Sequence, residues 1–232
     1  MSYTRICRLA LGAVLGAIAL AGCATSPVGV VPLRAMPSRT PGGVLAVWYS
    51  GDVGWGRPDR EVIVALARRG VPSVEVDSRT YFWRRRPADE AAKGLAKTIH
   101  EYEALWGAKR VVVVGYSFGG AAVPLILPHM AAGDLDQVKA VVLMAPSRKG
   151  QLVMRLWTLA EVMEPNAVPI GSALQAVSKP VLCVYGMQDH LAACPDLAGA
   201  EKVALPGGHT FKGQTTAVAD AIVGFLQRQG IQ

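Results

Sequence analysis

The sequence predicts an α/β domain, a mostly parallel central sheet with helices on both faces. Three observations predict it. Short β-rich runs alternate with longer helical stretches from Val44 to the end of the chain. One run, Val111–Val114, is four consecutive valines, as expected of a strand buried on both faces. The chain has 232 residues, 51% hydrophobic and 18% charged, which suits one ordinary domain and excludes a disordered chain.

The first segment reads as an address rather than as part of that domain. Arg5 and Arg8 precede an unbroken apolar run, Leu9–Leu20, and no acid lies among them. Twelve residues rise about 18 Å as a helix, short of the ~30 Å hydrocarbon core of a bilayer. A secretory signal over residues 1–22 is therefore favoured over a membrane anchor. Leu20-Ala-Gly-Cys23 resembles the lipobox of bacterial lipoproteins, which makes Cys23 the expected lipidation site. Residues 23–43, with Pro27, Pro32, Pro37 and Pro41, read as a lipid-anchored flexible linker. The domain is then 44–232.

Its elements follow in order. Val44–Tyr49 is an apolar strand. Asp59–Arg69 is helical, with Val62, Ile63, Leu66 and Ala67 on one face and Gly70 as its stop. Ser73–Val76 is a short strand. Ala88–Trp106 is a long helix with Leu95, Ile99, Tyr102 and Trp106 aligned. Ser117–Met130 is helical, and Pro124 predicts a kink. Val138–Met144, Pro180–Tyr185 and Lys202–Leu205 are further strands, and Val218–Gln227 is a terminal amphipathic helix. Ser147–Ser172 is long for a crossover. Its Leu152, Val153, Leu156, Trp157, Leu159 and Met163 fit an apolar lid or lipid-facing helix, or an ordinary crossover helix.

Charge and cysteines restrict the setting. The formal charge is +7, and loss of Arg5 and Arg8 leaves +5. Blocks of Lys and Arg are sparse, so nucleic acid is not an expected partner, whereas an anionic membrane surface is. With Cys7 in the signal and Cys23 lipidated, Cys183 and Cys194 remain. They suit a disulfide in an oxidising compartment, or one buried and one exposed thiol. No Cys/His spacing suggests zinc, and no metal or other cofactor is expected.

Ligands of parallel sheets sit beyond the carboxyl ends of the strands. The loop after the valine strand reads Gly115-Tyr-Ser-Phe-Gly119, a G-x-S-x-G between a buried strand and a helix. This is the context of a nucleophile elbow, in which small neighbours permit a sharp turn that exposes the serine hydroxyl. It refines the expected class to an α/β-hydrolase fold. Ser117 is the candidate nucleophile, and the Phe118 N–H is one candidate oxyanion donor. In this fold the acid and then the histidine follow in chain order. Asp189 after one strand and His209 after the next meet that order, with Asp196 a rival acid. His100 and His129 fall on or at the end of helices, and His190 is adjacent to the acid. After the first strand, Gly51 permits close backbone approach. The Asp52 N–H is the second candidate oxyanion donor, unless Asp52 closes an Asx-turn. Asp77–Arg86 sets Tyr81, Phe82 and Trp83 beside Arg84, Arg85 and Arg86. Together with Trp55 this segment is a candidate anion-binding edge, or a solvated basic turn.

Ser50-Gly-Asp-x-Gly-Trp55, Asp59-Arg-Glu61, Asp77-Ser78, Tyr81-Phe-Trp83, Gly115-Tyr-Ser-Phe-Gly119, Pro180-Val-Leu-Cys-x-Tyr-Gly186 and Pro206-Gly-Gly-His209 together resemble the bacterial VirJ/AcvB family. The resemblance runs from about residue 44 to the C-terminus, in a short single-domain lipoprotein form. It implies a hydrolase of aminoacyl-phosphatidylglycerol that releases lysine or alanine from the lipid, with Ser117 as nucleophile, Asp189 as acid and His209 as base. It also implies a link to type IV secretion, hence an envelope protein partner. A general envelope esterase or thioesterase and a non-catalytic secretion partner are the competing expectations. Val53 stands where the family usually has glycine, and Gly120 where relatives often have a larger residue. The expected location is the periplasm, lipid-anchored, at the outer membrane given Ala24 after Cys23.

Overall fold

A computed structural model describes residues 31–155 and 164–232. Its centre is a seven-stranded sheet built from β1 (Leu33–Met36), β2 (Val44–Tyr49), β3 (Ser73–Val76), β4 (Arg110–Tyr116), β5 (Val138–Met144), β8 (Val181–Gly186) and β9 (Glu201–Leu205), in the order β1-β3-β2-β4-β5-β8-β9. Only β1 runs antiparallel to its neighbour. A small hairpin, β6 (Lys149–Gly150) with β7 (Val168–Pro169), stands outside this sheet.

The valine run shows how one strand serves two cores. Val111 and Val113 join the cluster that packs α3 (Ala88–Trp106), α4 (Phe118–Ile126) and α6 (Ile170–Leu174). Val112 and Val114 join the opposite cluster, with α1 (Arg57–Arg68) and α7 (Thr215–Arg228). The two-residue period of a strand thus feeds both layers, and the valines fill both because neither face meets water. Short helices α2 (Ser78–Tyr81) and α5 (Ala132–Gln137) complete the described chain. Among the described residues, no helix is long and apolar enough to cross a membrane.

The expected strands and long helices form within a few residues of their predicted ends. Ser73–Val76, Ala88–Trp106 and Val138–Met144 form over their full predicted spans. α4 keeps helical form through Pro124 and passes into a 3₁₀ turn at Leu127–His129. The flexible-linker expectation for 23–43 is corrected in its second half. Leu33–Met36 pairs with β3, Val31 is buried, and the Gly42 N–H bonds the Gly70 carbonyl at 2.8 Å. Without β1 the hydrogen-bonding edge of β3 would be bare, and this segment covers it. Of the predicted lid-or-crossover stretch, residues 156–163 lie outside the described chain. Val153 is buried, Leu152 packs on the core, and Gly150 and Val168 form the hairpin.

Candidate active site

The site lies at the carboxyl edge of the sheet, on the loops after β2, β4, β8 and β9. β4 ends at Tyr116, and α4 begins at Phe118. Ser117 between them has φ 52° and ψ −114°. A non-glycine residue in that region stores of order 1–3 kcal/mol of strain, held here by the surrounding structure. The Ser117 N–H bonds the Met144 carbonyl at 2.8 Å, and the Ser117 carbonyl accepts from Ala121 at 3.1 Å. Any side chain at Gly119 would strike the Tyr49 and Ser50 carbonyls, and one at Gly115 would strike Gly119. The spacing of glycines in the motif is therefore a requirement of close packing between β4, α4 and β2.

Three loops bring the predicted polar residues together. His209 Nε2 lies 2.9 Å from Ser117 Oγ. His209 Nδ1 lies 2.7 Å from Asp189 Oδ2. The other carboxylate oxygen of Asp189 accepts from the Leu191 N–H at 3.1 Å, which fixes its orientation. Ser117 and Asp189 are nearly buried, while about a third of the His209 side chain is exposed. Asp196, the rival acid, is exposed and pairs with Arg148. His100 pairs with Asp134 at 2.9 Å, and His129 and His190 are exposed. Cys183 and Cys194 form a disulfide with a Cα separation of 5.5 Å, and both are buried. The bridge closes the segment that carries Asp189.

The two candidate oxyanion donors flank this array. Phe118 is the first residue of α4, so the helix leaves its N–H without an intrahelical partner. Gly51 lies against Tyr116 and Ser117, where an added Cβ would come 3.6 Å from the Ser117 Cβ. Asp52 and Val53 form the tip of a turn closed by the Gly54 N–H on the Gly51 carbonyl at 3.1 Å.

The anion-binding edge is corrected in two places. Tyr81 is buried, with the Arg86 guanidinium 4.0 Å above its ring, so it is a packing residue. Arg86 is itself buried, donating to the Tyr81 carbonyl at 2.7 Å and to Glu90. Such a group is spoken for, and it does not face solvent. Trp55, Trp83, Arg84 and Arg85 are exposed at this edge. Arg84 approaches Glu90 at 3.9 Å, and Arg85 pairs with Glu164 at 2.9 Å. A cavity of ≈ 410 Å³ is lined by Arg85, Gln151, Leu152 and Val168, among others, but by none of the Ser117 array. Among the described residues, no three His, Cys, Asp or Glu side chains are grouped to hold a metal.

Sequence reasoning missed several supports. Tyr116 donates its hydroxyl to the His209 carbonyl at 3.2 Å, and its ring lies 5.5 Å from the imidazole. Ser50 Oγ accepts from the Ser78 N–H at 3.0 Å, tying together the loops after β2 and β3. Beneath the Gly51 loop, Asp59 is fully buried at the third position of α1. Its carboxyl faces back toward the Gly51 and Gly56 N–H groups without completing a hydrogen bond to either. Burial, and then Glu75, push Asp59 up to about 8. Burial pushes Glu75 up to about 7, although Arg34 bonds it and opposes the shift. Asp59 was legible only as part of a short charged motif, since an acid inside a core leaves no periodic signal.

Residues 43–230 match the family described as "Bacterial virulence protein (VirJ)". No curated protein matches the chain. Among solved structures, Est1E from Butyrivibrio proteoclasticus is similar, with TM-score 0.58 and 17% identity over 86% of this chain and 93% of that one. The esterase domain of a Rhodothermus marinus protein gives TM-score 0.59 and 13% identity, over 84% and 91% of the two chains. MenH from S. aureus gives TM-score 0.60 and 12% identity, over 85% and 98%. At such identities the likeness is one of fold, and that fold is the α/β-hydrolase fold.

Proposed function

Because the chain belongs to the VirJ family of bacterial virulence proteins, we propose that it is a serine hydrolase of the bacterial envelope, cleaving the aminoacyl ester of aminoacyl-phosphatidylglycerol. The observation that carries the reading is the continuous array from Ser117 Oγ through His209 to Asp189, at 2.9 and 2.7 Å, on a strained strand-to-helix turn. Ser117 Oγ attacks the aminoacyl carbonyl while His209 Nε2 takes its proton. Asp189, held on Nδ1, keeps the tautomer that leaves Nε2 free to accept. The Phe118 and Asp52 N–H groups meet the developing oxyanion. His209 then protonates the leaving phosphatidylglycerol oxygen and later activates the water that frees the amino acid.

Trp55, Trp83, Arg84 and Arg85 are the groups proposed to meet the lipid, Arg84 and Arg85 through its phosphate. The half-buried Asp52 carboxylate suits the α-ammonium of the substrate. Lipidation at Cys23 would hold the enzyme in the periplasm against the membrane that contains its substrate. The test is free amino acid released from vesicles containing lysyl- or alanyl-phosphatidylglycerol, by the wild type and by Ser117→Ala. Release by the wild type alone supports the reading and ranks the two substrates. Equal turnover of short nitrophenyl esters would favour a general esterase or thioesterase. A cellular phenotype unchanged in Ser117→Ala would favour a non-catalytic role beside a secretion system.

A further inference from the structure

We infer that the site-bearing edge of the sheet docks face-on against an anionic bilayer surface. This rests on the proposed lipid anchoring and lipid substrate, and it adds the orientation of the domain. Two independent observations carry it.

The first is where the chain joins the fold. β1 is the one strand of the seven-stranded sheet that runs antiparallel to its neighbour. Its first residue, Leu33, therefore pairs with Val76, the last residue of β3, and the Asp77 N–H bonds the Pro32 carbonyl at 2.9 Å. Had β1 been parallel, the chain would have joined at the opposite edge. As it is, Val31 sits on the same edge as the loops that carry Ser117, Asp189 and His209. Seven residues lie between Cys23 and Val31, eight steps of the chain. They span at most about 28 Å when fully extended. A lipid on Cys23 thus holds this edge, and not the far one, nearest the membrane.

The second is the distribution of exposed apolar side chains. Seven large hydrophobic residues are exposed among the described residues. Five of them, Val53, Trp55, Trp83, Met187 and Leu191, lie on loops at this edge, after β2, β3 and β8. They flank the Ser117 array on both sides. Leu105, at the end of α3 just before β4 begins, marks the opposite edge. Exposed apolar residues gathered into one patch mark an interaction surface, whereas scattered ones do not. Tryptophan suits the headgroup boundary because its ring is apolar with one polar atom.

Charge complements the patch. Arg79 in α2 and Lys212 on the loop after β9 stand exposed at this edge with no ion-pair partner among the described residues. Of the nearby acids, Asp77 caps α2 and Asp189 holds His209, while the half-buried Asp52 is the group proposed above to meet the substrate ammonium. An apolar patch rimmed by unpaired cations fits an anionic headgroup layer. The chemistry also fits, since an aminoacyl ester on a headgroup lies at the interface and can be reached there without being drawn from the hydrocarbon.

The test places a single environment-sensitive fluorophore on the full lipidated chain, at Val53→Cys, Leu191→Cys or Leu105→Cys. Each protein is reconstituted into phosphatidylglycerol vesicles that contain a headgroup-depth lipid quencher. Quenching about twofold or more stronger at 53 and 191 than at 105 is expected. Equal quenching at all three, or none, overturns the orientation and leaves the patch to a protein partner. Met187→Asp is expected to weaken quenching at position 191 and to slow release from vesicles, with hydrolysis of a soluble nitrophenyl ester unchanged. If the soluble ester and the vesicle lipid slow together, the docking role of Met187 falls. If the wild type hydrolyses neither but the quenching pattern holds, the proposed reaction falls and the docking stands.

Discussion

Replacing Asp59 by Asn should change the stability of this protein in a pH-dependent way. Asp59 is fully buried, and burial together with Glu75 holds its carboxyl protonated to about pH 8, against 3.8 for an unperturbed group. Folding therefore takes up a proton between those values. Stability is fully present below about pH 4 and declines as pH rises toward 8. Four pH units set a ceiling of about 5 kcal/mol on this decline. Relaxation and water entering around the ionised group should reduce it to about 2–3 kcal/mol. Asparagine keeps the volume and a carbonyl oxygen toward Gly51 and Gly56, but it holds no proton to lose. The quantity to measure is the difference in Tm between Asp59→Asn and wild type, by circular dichroism from pH 4 to pH 8. At about 2–4 °C per kcal/mol, the variant should gain about 5–10 °C relative to wild type across that range. A difference that stays constant with pH would refute the reasoning, because a packing defect does not titrate. Glu75, Arg34 and Tyr116 also face this carboxyl. Arg34→Gln should therefore lower the stability of wild type most at pH 8, where Glu75 is ionised.

Other expectations concern the site and its supports. Ser117→Ala should abolish labelling by a fluorophosphonate probe and leave the melting temperature the same or slightly higher, since alanine removes one polar group but not the strained turn. Reducing the Cys183–Cys194 bridge releases a loop of about a dozen residues, worth about 3 kcal/mol by loop-closure entropy, so the urea midpoint should fall. The rate of Ser117 labelling should fall as well, because Asp189 lies within that loop; a midpoint unchanged by reduction would count against it. Phe82→Ala, fully buried among the rings of Tyr49, Tyr81 and Phe118, should cost about 3–5 kcal/mol in urea unfolding.

Much of the sheet was legible because its information is local. Four valines in a row, or apolar residues three and four apart over Ala88–Trp106, need no distant partner to be read. β1 was not legible for the opposite reason. Leu-Arg-Ala-Met is four residues between prolines, and it becomes a strand only because β3 offers a bare edge 40 residues away. The short helices α2 and α5 and the β6–β7 hairpin are likewise too brief to carry a period. At the site, the order and strand-end positions of Ser117, Asp189 and His209 could be read in advance, because the fold places strand ends side by side. Tyr81 could not. An aromatic next to three arginines looks like a binding edge until Arg86 turns inward and stacks on it. Asp59 and Glu75 look like ordinary helix and strand acids, and only the tertiary packing that buries them makes them exceptional.

β1 also decides what a shortened form of this protein has to keep. Arg34 supplies the only cation bonded to Glu75 among the described residues, and the backbone of 33–36 covers the edge of β3. A chain trimmed to start at Val44, as composition alone would advise, would lose both at once. It would hold a buried acid with no counter-charge, beside an open strand free to pair with another molecule. Such a truncation would be expected to aggregate rather than to yield a smaller active domain. For expression and crystallisation, the segment that looks like a tether belongs to the fold, and the useful place to cut lies before Val31.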